Sequence, residues 1–162
     1  MSASKFPLEP LRTVRGIRLH ALETELKRCR ERQHIADEER MAADERLQQA
    51  SFARQDFADR SWAGMFADGA PTALAIDRYE RHLQLLDHQI ALCRAELEER
   101  EIACAQAQAA LDRAAAAWRQ ARGKLDAVDE MKQGWLREMR GRIEWSEEQS
   151  LEELFLHRAP TH

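Results

Sequence analysis

Histidine and cysteine side chains are the groups in this sequence that could bind a metal. No two of the six histidines are spaced three or four residues apart, so no pair shares a helix face at chelating distance. The three cysteines, Cys29, Cys93 and Cys104, have no CxxC spacing, and the last two would lie ~16 Å apart along one helix. We therefore predict no metal site and no disulfide framework, with the cysteines as small apolar core residues.

Catalytic motifs are also missing. The stretch Gly123-Lys124-Leu125 lacks the glycine-rich approach and the hydroxyl residue of a phosphate-binding loop, and neither GxSxG nor HExxH occurs. Four glutamates at 147, 148, 152 and 153 suit a solvated helix face. The sequence therefore predicts no catalytic residues, no cofactor and no small-molecule substrate.

The composition limits the fold and the partners. Charged residues make up 33% of the 162 residues, against five Phe, four Trp and one Tyr, which is too polar for a thick globular core. A net charge of −4 gives no surplus of Lys and Arg, so we expect no nucleic-acid partner. The first residues lack an apolar signal region, and the longest uncharged run, Ile102–Leu111, is too short for a membrane span. A cytoplasmic protein is expected.

Proline and glycine placement predicts two long helices. No proline falls within 11–70 or 72–159, and the breakers cluster in Ser61–Thr72, which holds two glycines, an aspartate and Pro71. We predict one helical-hairpin domain over 1–162, with a helix about 10–63, a turn about 64–72 and a helix about 73–157.

Apolar periodicity indicates how the two helices pack. Sixteen positions from Ile76 to Val128 alternate in steps of three and four, and only Arg100 among them is not apolar. A weaker stripe runs from Leu19 to Phe57, diluted by Gln33, Arg40 and Arg54. The predicted fold class is all-α, with two long helices in an antiparallel coiled-coil hairpin and an overhanging C-terminal helix.

The overhang and the turn are the candidate interaction surfaces. With an apex near residue 69, position i pairs with 138 − i, so nothing is expected opposite residues beyond about Lys132. The overhang carries an apolar stripe, which predicts docking to another protein; self-burial in a dimer, or against Phe6–Leu11 doubling back, is the alternative. Trp62 and Phe66 at the tip could contact a partner or cap the hairpin. The stripe comprises Met131, Trp135, Met139 and Ile143, followed by Leu151, Leu154 and Phe155.

Three stretches have the character of a known family: Phe6–Arg15, Arg78–Ile90, and Leu125–Lys132 continuing through Leu151–Arg158. Together they resemble the FliJ/YscO group of flagellar and type III secretion export proteins, over most of the chain. The resemblance implies a cytoplasmic stalk, peripherally associated with the inner-membrane export apparatus, whose paired termini bind a hexameric ATPase. An export gate protein and export chaperones are the further partners that it implies.

The resemblance also suggests where these partners bind. For the export gate it points to Tyr79 and Leu86, beside Trp62 and Phe66 at the tip. The chain departs from the family in ending Glu152-Glu-Leu-Phe155 and in having tryptophans at 135 and 145. An oligomeric coiled-coil scaffold and an export chaperone or adaptor stay open as alternatives. The residues expected at the ATPase end are Leu8, Leu11, Met131, Trp135, Met139, Ile143 and Leu151.

Overall fold

The computed structural model describes residues 4–158 and contains, in this range, two α-helices and no strand. Helix α1 spans Glu9–Met65 and helix α2 spans Ala73–Arg158. The predicted all-α helical hairpin is therefore confirmed. Contacts divide the described chain into two units, one formed by residues 4–25 with 115–158 and the other by residues 26–114.

The turn between the helices is set by local backbone chemistry. Helix α1 ends at Met65, and Gly69 takes the left-handed conformation, with φ at 108°, that glycine adopts at little cost. Helix α2 starts on an N-cap: the Thr72 hydroxyl accepts a hydrogen bond from the Ala75 amide at 3.2 Å. The cluster of breakers thus produces one reversal of the chain.

In the unit formed by residues 26–114, the two predicted stripes face each other. Leu26, Cys29 and Ala43 are buried on α1, while Cys93 and Cys104 on α2 are half-buried thiols without a disulfide. The core is thin because alanines and other small residues fill much of it. This agrees with the prediction of cysteines as small core residues.

The arginines that interrupt the apolar stripes make ion pairs at the edge of the seam. Arg54 Nε donates to Asp87 Oδ1 at 2.9 Å, and Arg100 Nη1 donates to Glu39 Oε2 at 2.8 Å, each between the helices. Arg40 instead pairs with Asp37 on its own helix at 3.0 Å, a contact that raises the pKa of the guanidinium. The two pairs between helices favour the native register over a shifted one.

The unit formed by residues 4–25 and 115–158 buries apolar residues from both helices. Leu19, Ala121 and Val128 are almost inaccessible to solvent. Trp118, beside them in sequence, is half-buried, and its indole nitrogen lies 3.5 Å from Glu23 Oε1 on α1. The predicted α2 stripe therefore continues as a packed seam through Val128.

The register differs from the predicted pairing of i with 138 − i by about three residues. Arg12 contacts Asp129 in one unit, and Arg54 contacts Asp87 in the other. The rule paired backbone positions, whereas side chains on a helix lean toward its N-terminus. In a pair of antiparallel helices, the side chains of each helix lean toward its lower residue numbers. Two side chains that meet therefore belong to residues with higher numbers than the backbone positions that lie opposite each other, which shifts the register in the observed direction.

Removing an ion pair between the helices is expected to have a small effect. Arg54 and Asp87 are both partly solvated, so the coupling energy from a double-mutant cycle of Arg54→Ala and Asp87→Ala should be about 0.2–1 kcal/mol. Urea unfolding of the four proteins measures it. A coupling above about 2 kcal/mol would show that this pair, and not the apolar seam, provides much of the stability.

Candidate docking surface at the chain termini

The N-terminal residues cover part of the predicted docking stripe. Phe6 is only 8% exposed, and its ring centroid lies 5.7 Å from that of Trp135. The Ser4 hydroxyl oxygen is 4.0 Å from the Met139 sulfur. The expectation that nothing lies opposite residues beyond about Lys132 is therefore wrong.

The register shift of about three residues is the reason. Phe6 lies opposite Trp135 in the same register in which Arg12 lies opposite Asp129, and the Glu9 amide donates to the Phe6 carbonyl oxygen at 3.1 Å in the turn before α1. Trp135 and Met139 are half-buried as a result, so the stripe is partly buried against the chain's own N-terminal residues.

Charged groups anchor this N-terminal segment to α2. Arg12 Nε donates to Asp129 Oδ1 at 2.6 Å, and Glu9 Oε2 lies 3.0 Å from Lys132 Nζ. The Lys132 contact lowers the pKa of Glu9; burial opposes the change and Arg12, at 3.4 Å, adds to it. The Asp129 carboxylate in turn raises the pKa of Arg12. We call Phe6, Glu9, Arg12, Asp129, Lys132 and Trp135 the N-terminal clamp.

The clamp predicts an acid-sensitive contribution to stability from Glu9. Because its pKa is lowered on folding, the contribution is complete above the ordinary value of 4.5 and is lost as the pH falls through the lowered value. Replacing Glu9 with Gln should therefore lower the melting temperature at pH 6, and the difference from wild type should shrink as the pH falls below about 4.5.

Thermal melts of both proteins at several pH values test this expectation. Glu148→Gln is the matched control, since Glu148 is exposed and outside the clamp. A melting difference for Glu9→Gln that is the same at every pH would contradict the ionic role of Glu9.

Beyond the clamp, α2 continues with every residue from 141 to 158 exposed, and we call this stretch the terminal segment. Its exposed apolar side chains reach 76% accessibility at Leu156. Leu151, Leu154 and Phe155 line a shallow groove with Arg158, whereas Trp145 and Leu156, eleven residues apart, share another face. The exposed apolar side chains are Ile143, Trp145, Leu151, Leu154, Phe155 and Leu156.

A helix that is apolar on more than one face is usually surrounded by other protein. Here both faces of the terminal segment are in solvent, so the apolar area is available to a partner. This arrangement favours an enclosing contact over a flat one.

The other residues predicted at this end have different environments. Met131, Ile143 and Leu151 are more than half exposed, while Leu8 and Leu11, beside the clamp, are each 38% exposed. Their binding roles stay predictions. Leu156 was missed because the stripe analysis ended at Phe155. A test for apolar residues on every face would have found it.

Aromatic side chains at the hairpin turn pack mainly on each other. The Trp62 ring centroid lies 4.9 Å from that of Phe66 and 5.7 Å from that of Tyr79, and Phe57 stacks on Tyr79 at 5.7 Å. The Tyr79 hydroxyl is 3.5 Å from the Ala58 carbonyl oxygen. The cluster therefore joins α1 to α2 beside the turn, which supports the capping interpretation of Trp62 and Phe66.

Half of the Trp62 and Phe66 surfaces nevertheless stays accessible, so a partner could still contact the tip. Tyr79 and Leu86 are half-buried on the seam. The predicted gate-binding roles of all four residues stay predictions.

Two classes of site find no support within residues 4–158. No cluster of three or more His, Cys, Asp or Glu side chains in this range could hold a metal ion. Neither described helix has a stretch apolar enough to cross a bilayer.

Comparison with known proteins gives one informative likeness. No protein family and no curated protein matches the sequence. A solved structure of a Chlamydia trachomatis protein, proposed to be a YscO homolog, is similar with a TM-score of 0.80. The likeness covers 96% of this chain and 96% of the other at 18% sequence identity, so it concerns the fold.

Proposed function

We propose that this chain is a non-enzymatic stalk component of a type III secretion export apparatus, flagellar or injectisome. In this role it binds the hexameric export ATPase through its terminal segment and clamp, and it connects the ATPase to the export gate in the cytoplasm. The observation that supports the proposal most is the fold likeness over nearly the whole of both chains to a protein proposed to be a YscO homolog.

The exposure of the terminal segment supports a partner at this end. Burial of apolar surface is favourable by about 25 cal/mol for each Å² removed from water. Large apolar side chains that stay exposed in the free chain can gain this free energy when a partner covers them. Leu154, Phe155 and Leu156 form a consecutive run in which each side chain is more than 60% exposed. Anchors of this kind contribute most of the free energy of association when a partner surrounds them.

The fold is compatible with a non-enzymatic stalk. The two helices bury a narrow seam, and the core of the described residues contains no buried polar or charged side chain. Catalysis needs convergent polar groups in a concave pocket. Contact with partners is the role that an exposed apolar helix end suits.

Co-purification distinguishes this proposal from its alternatives. The full chain, tagged at its N-terminus, is mixed in turn with the export ATPase, the gate protein and an export chaperone from the same organism. A stalk should retain the ATPase, whereas a chaperone-like adaptor should retain an export substrate and be indifferent to the ATPase. A chain that forms a stable oligomer and retains none of these would be an oligomeric scaffold.

A further inference from the structure

One side of the seam in the unit of residues 4–25 and 115–158 has apolar residues at positions that are usually charged. In a two-stranded coiled coil the residues beside the seam are mostly Glu and Lys. Here they include Leu11 and Val14 on α1 and Met131 on α2, which are 38%, 62% and 57% exposed. Each comes directly before a half-buried residue that continues the seam. Apolar residues beside the seam widen the apolar stripe of both helices, as in helices that pack against more than one neighbour.

A contact between Arg15 and Lys124 shows that these residues share this side of the seam. Arg15 Nη1 donates to the Lys124 carbonyl oxygen at 2.8 Å. Asp129, which pairs with an arginine of the N-terminal clamp, is five residues from Lys124 and therefore points about 140° away from it around α2. Leu11 is four residues from Arg15, and Met131 is seven from Lys124, and these spacings keep residues on one helix face.

Three cations on this side have no carboxylate partner among residues 4–158. Arg15, Arg18 and Lys124 take part in none of the ion pairs of this range, whereas the cations of the N-terminal clamp pair with Glu9 and Asp129. Like charges that lie together without counter-charges favour the approach of an anionic group from another molecule. We define the cationic face as Leu11, Val14, Arg15, Arg18, Lys124 and Met131.

Carboxylates of the chain itself border the cationic face without entering it. Glu25 and Glu138 are in phase with it, and each lies seven residues, or about 10 Å of helix, beyond Arg18 or Met131. Glu130 is next to Met131 in sequence, but consecutive residues of a helix point about 100° apart. The face is therefore both cationic and apolar over about two helical turns.

We propose that the cationic face binds an amphipathic helix with an acidic edge, supplied by another protein. Apolar residues of such a helix would pack on Leu11 and Met131, and its carboxylates would pair with Arg18 and Lys124. Leu11 and Met131 lie on either side of the junction between α1 and α2, a concave line that a helix fits and a flat bilayer does not. A nucleic acid would supply phosphates for the cations but no apolar side chain for Val14.

This inference goes beyond the proposed ATPase contact and does not depend on it. The terminal segment takes no part in the cationic face. Leu11 and Met131, which were predicted at the ATPase end, are here assigned to an acidic helix, whichever protein supplies it.

Binding of synthetic peptides to the full chain tests the proposal. The probe is a fluorescein-labelled peptide of about 20 residues, long enough to form a helix, with leucines on one helix face and glutamates beside them. The matched control peptide has the same composition in an order that gives no apolar face. By fluorescence anisotropy at low salt, the wild-type chain should bind the first peptide at least tenfold more tightly than the second. Added salt should weaken this binding, because the charges of the face are solvent-exposed.

Variants of the chain show whether the cationic face is the site. Arg18→Glu with Lys124→Glu should weaken binding of the probe at least tenfold, because like charges then face each other. Met131→Ser should also weaken it. The control, Arg119→Glu with Arg140→Glu, makes the same change in net charge at exposed positions about 140–160° from Lys124 around α2, and it should bind as wild type does. Circular dichroism shows whether each variant stays helical, and the comparison of the two peptides on the wild-type chain needs no variant.

The proposal is overturned if the wild-type chain binds neither peptide, if it binds both equally, or if the control reversal weakens binding as much as the reversal at Arg18 and Lys124. Binding to vesicles of phosphatidylcholine and phosphatidylglycerol, lost on that reversal while the peptides do not bind, would instead assign the face to a membrane surface. These measurements contain no ATPase, so their failure would leave the proposed function intact.

Discussion

Replacing Leu19 with alanine is expected to lower the free energy of unfolding by about 2–5 kcal/mol. Leu19 is 5% exposed in the unit that also buries Ala121 and Val128, and truncating it leaves a cavity that two helices can only partly close. The seam is narrow, so few other side chains can move into the space. Urea unfolding, with the slope checked to be unchanged, measures the loss.

Ile17→Ala is the matched control for this prediction. Ile17 lies two residues away on the same helix but is 67% exposed, and alanine has the higher helix propensity. Its replacement should change the free energy of unfolding by less than about 0.5 kcal/mol. Comparable losses at both positions would show that the seam does not bury Leu19 as described.

Truncating the terminal segment's apolar side chains is expected to weaken binding to the export ATPase at least 100-fold. The variant carries Leu151→Ala, Leu154→Ala and Phe155→Ala, all exposed in the free chain. Each well-buried anchor is worth about 2 kcal/mol, and 1.4 kcal/mol corresponds to a factor of ten. Helicity and melting temperature should stay close to wild type, because these residues contribute little to the chain's own core.

Leu85→Ala, Leu92→Ala and Ile102→Ala together form the control, since these residues are also more than half exposed but belong to the unit of residues 26–114. The control should bind the ATPase as wild type does. Equal weakening in both triple variants would mean that the contact is not confined to the terminal segment. Trp135→Ala is unsuitable for this test, because Trp135 packs against Phe6 and its loss would also disturb folding.

Most of the fold could be predicted from the sequence because local residue patterns determine it. Spacing of three and four residues identified the seam, and residues at its predicted positions, such as Leu26, Ala43 and Val128, are buried. The turn followed from glycine and proline chemistry. The periodic signal of the seam extends over many residues, so a single polar residue such as Arg100 does not obscure it.

The N-terminal clamp was harder to predict from the sequence, because it depends on residues outside the periodic pattern. Phe6 precedes α1, so the helical periodicity did not indicate that its side chain would pack against α2. The side-chain lean that shifts the register by about three residues is likewise a property of three-dimensional packing. Docking roles for Ile143, Leu151 or Tyr79 concern other molecules, so neither pattern nor fold determines them.

The measurement that tests the central claim most directly is site-specific photo-crosslinking from position 155 of the full chain. A photoreactive phenylalanine analogue replaces Phe155, and the chain is illuminated with the assembled export ATPase; the same analogue at position 52, where Phe52 is also exposed, is the control. The proposed function predicts an adduct with the ATPase from position 155 and none from position 52. Absence of an ATPase adduct at position 155, with the ATPase assembled and in excess, would contradict it.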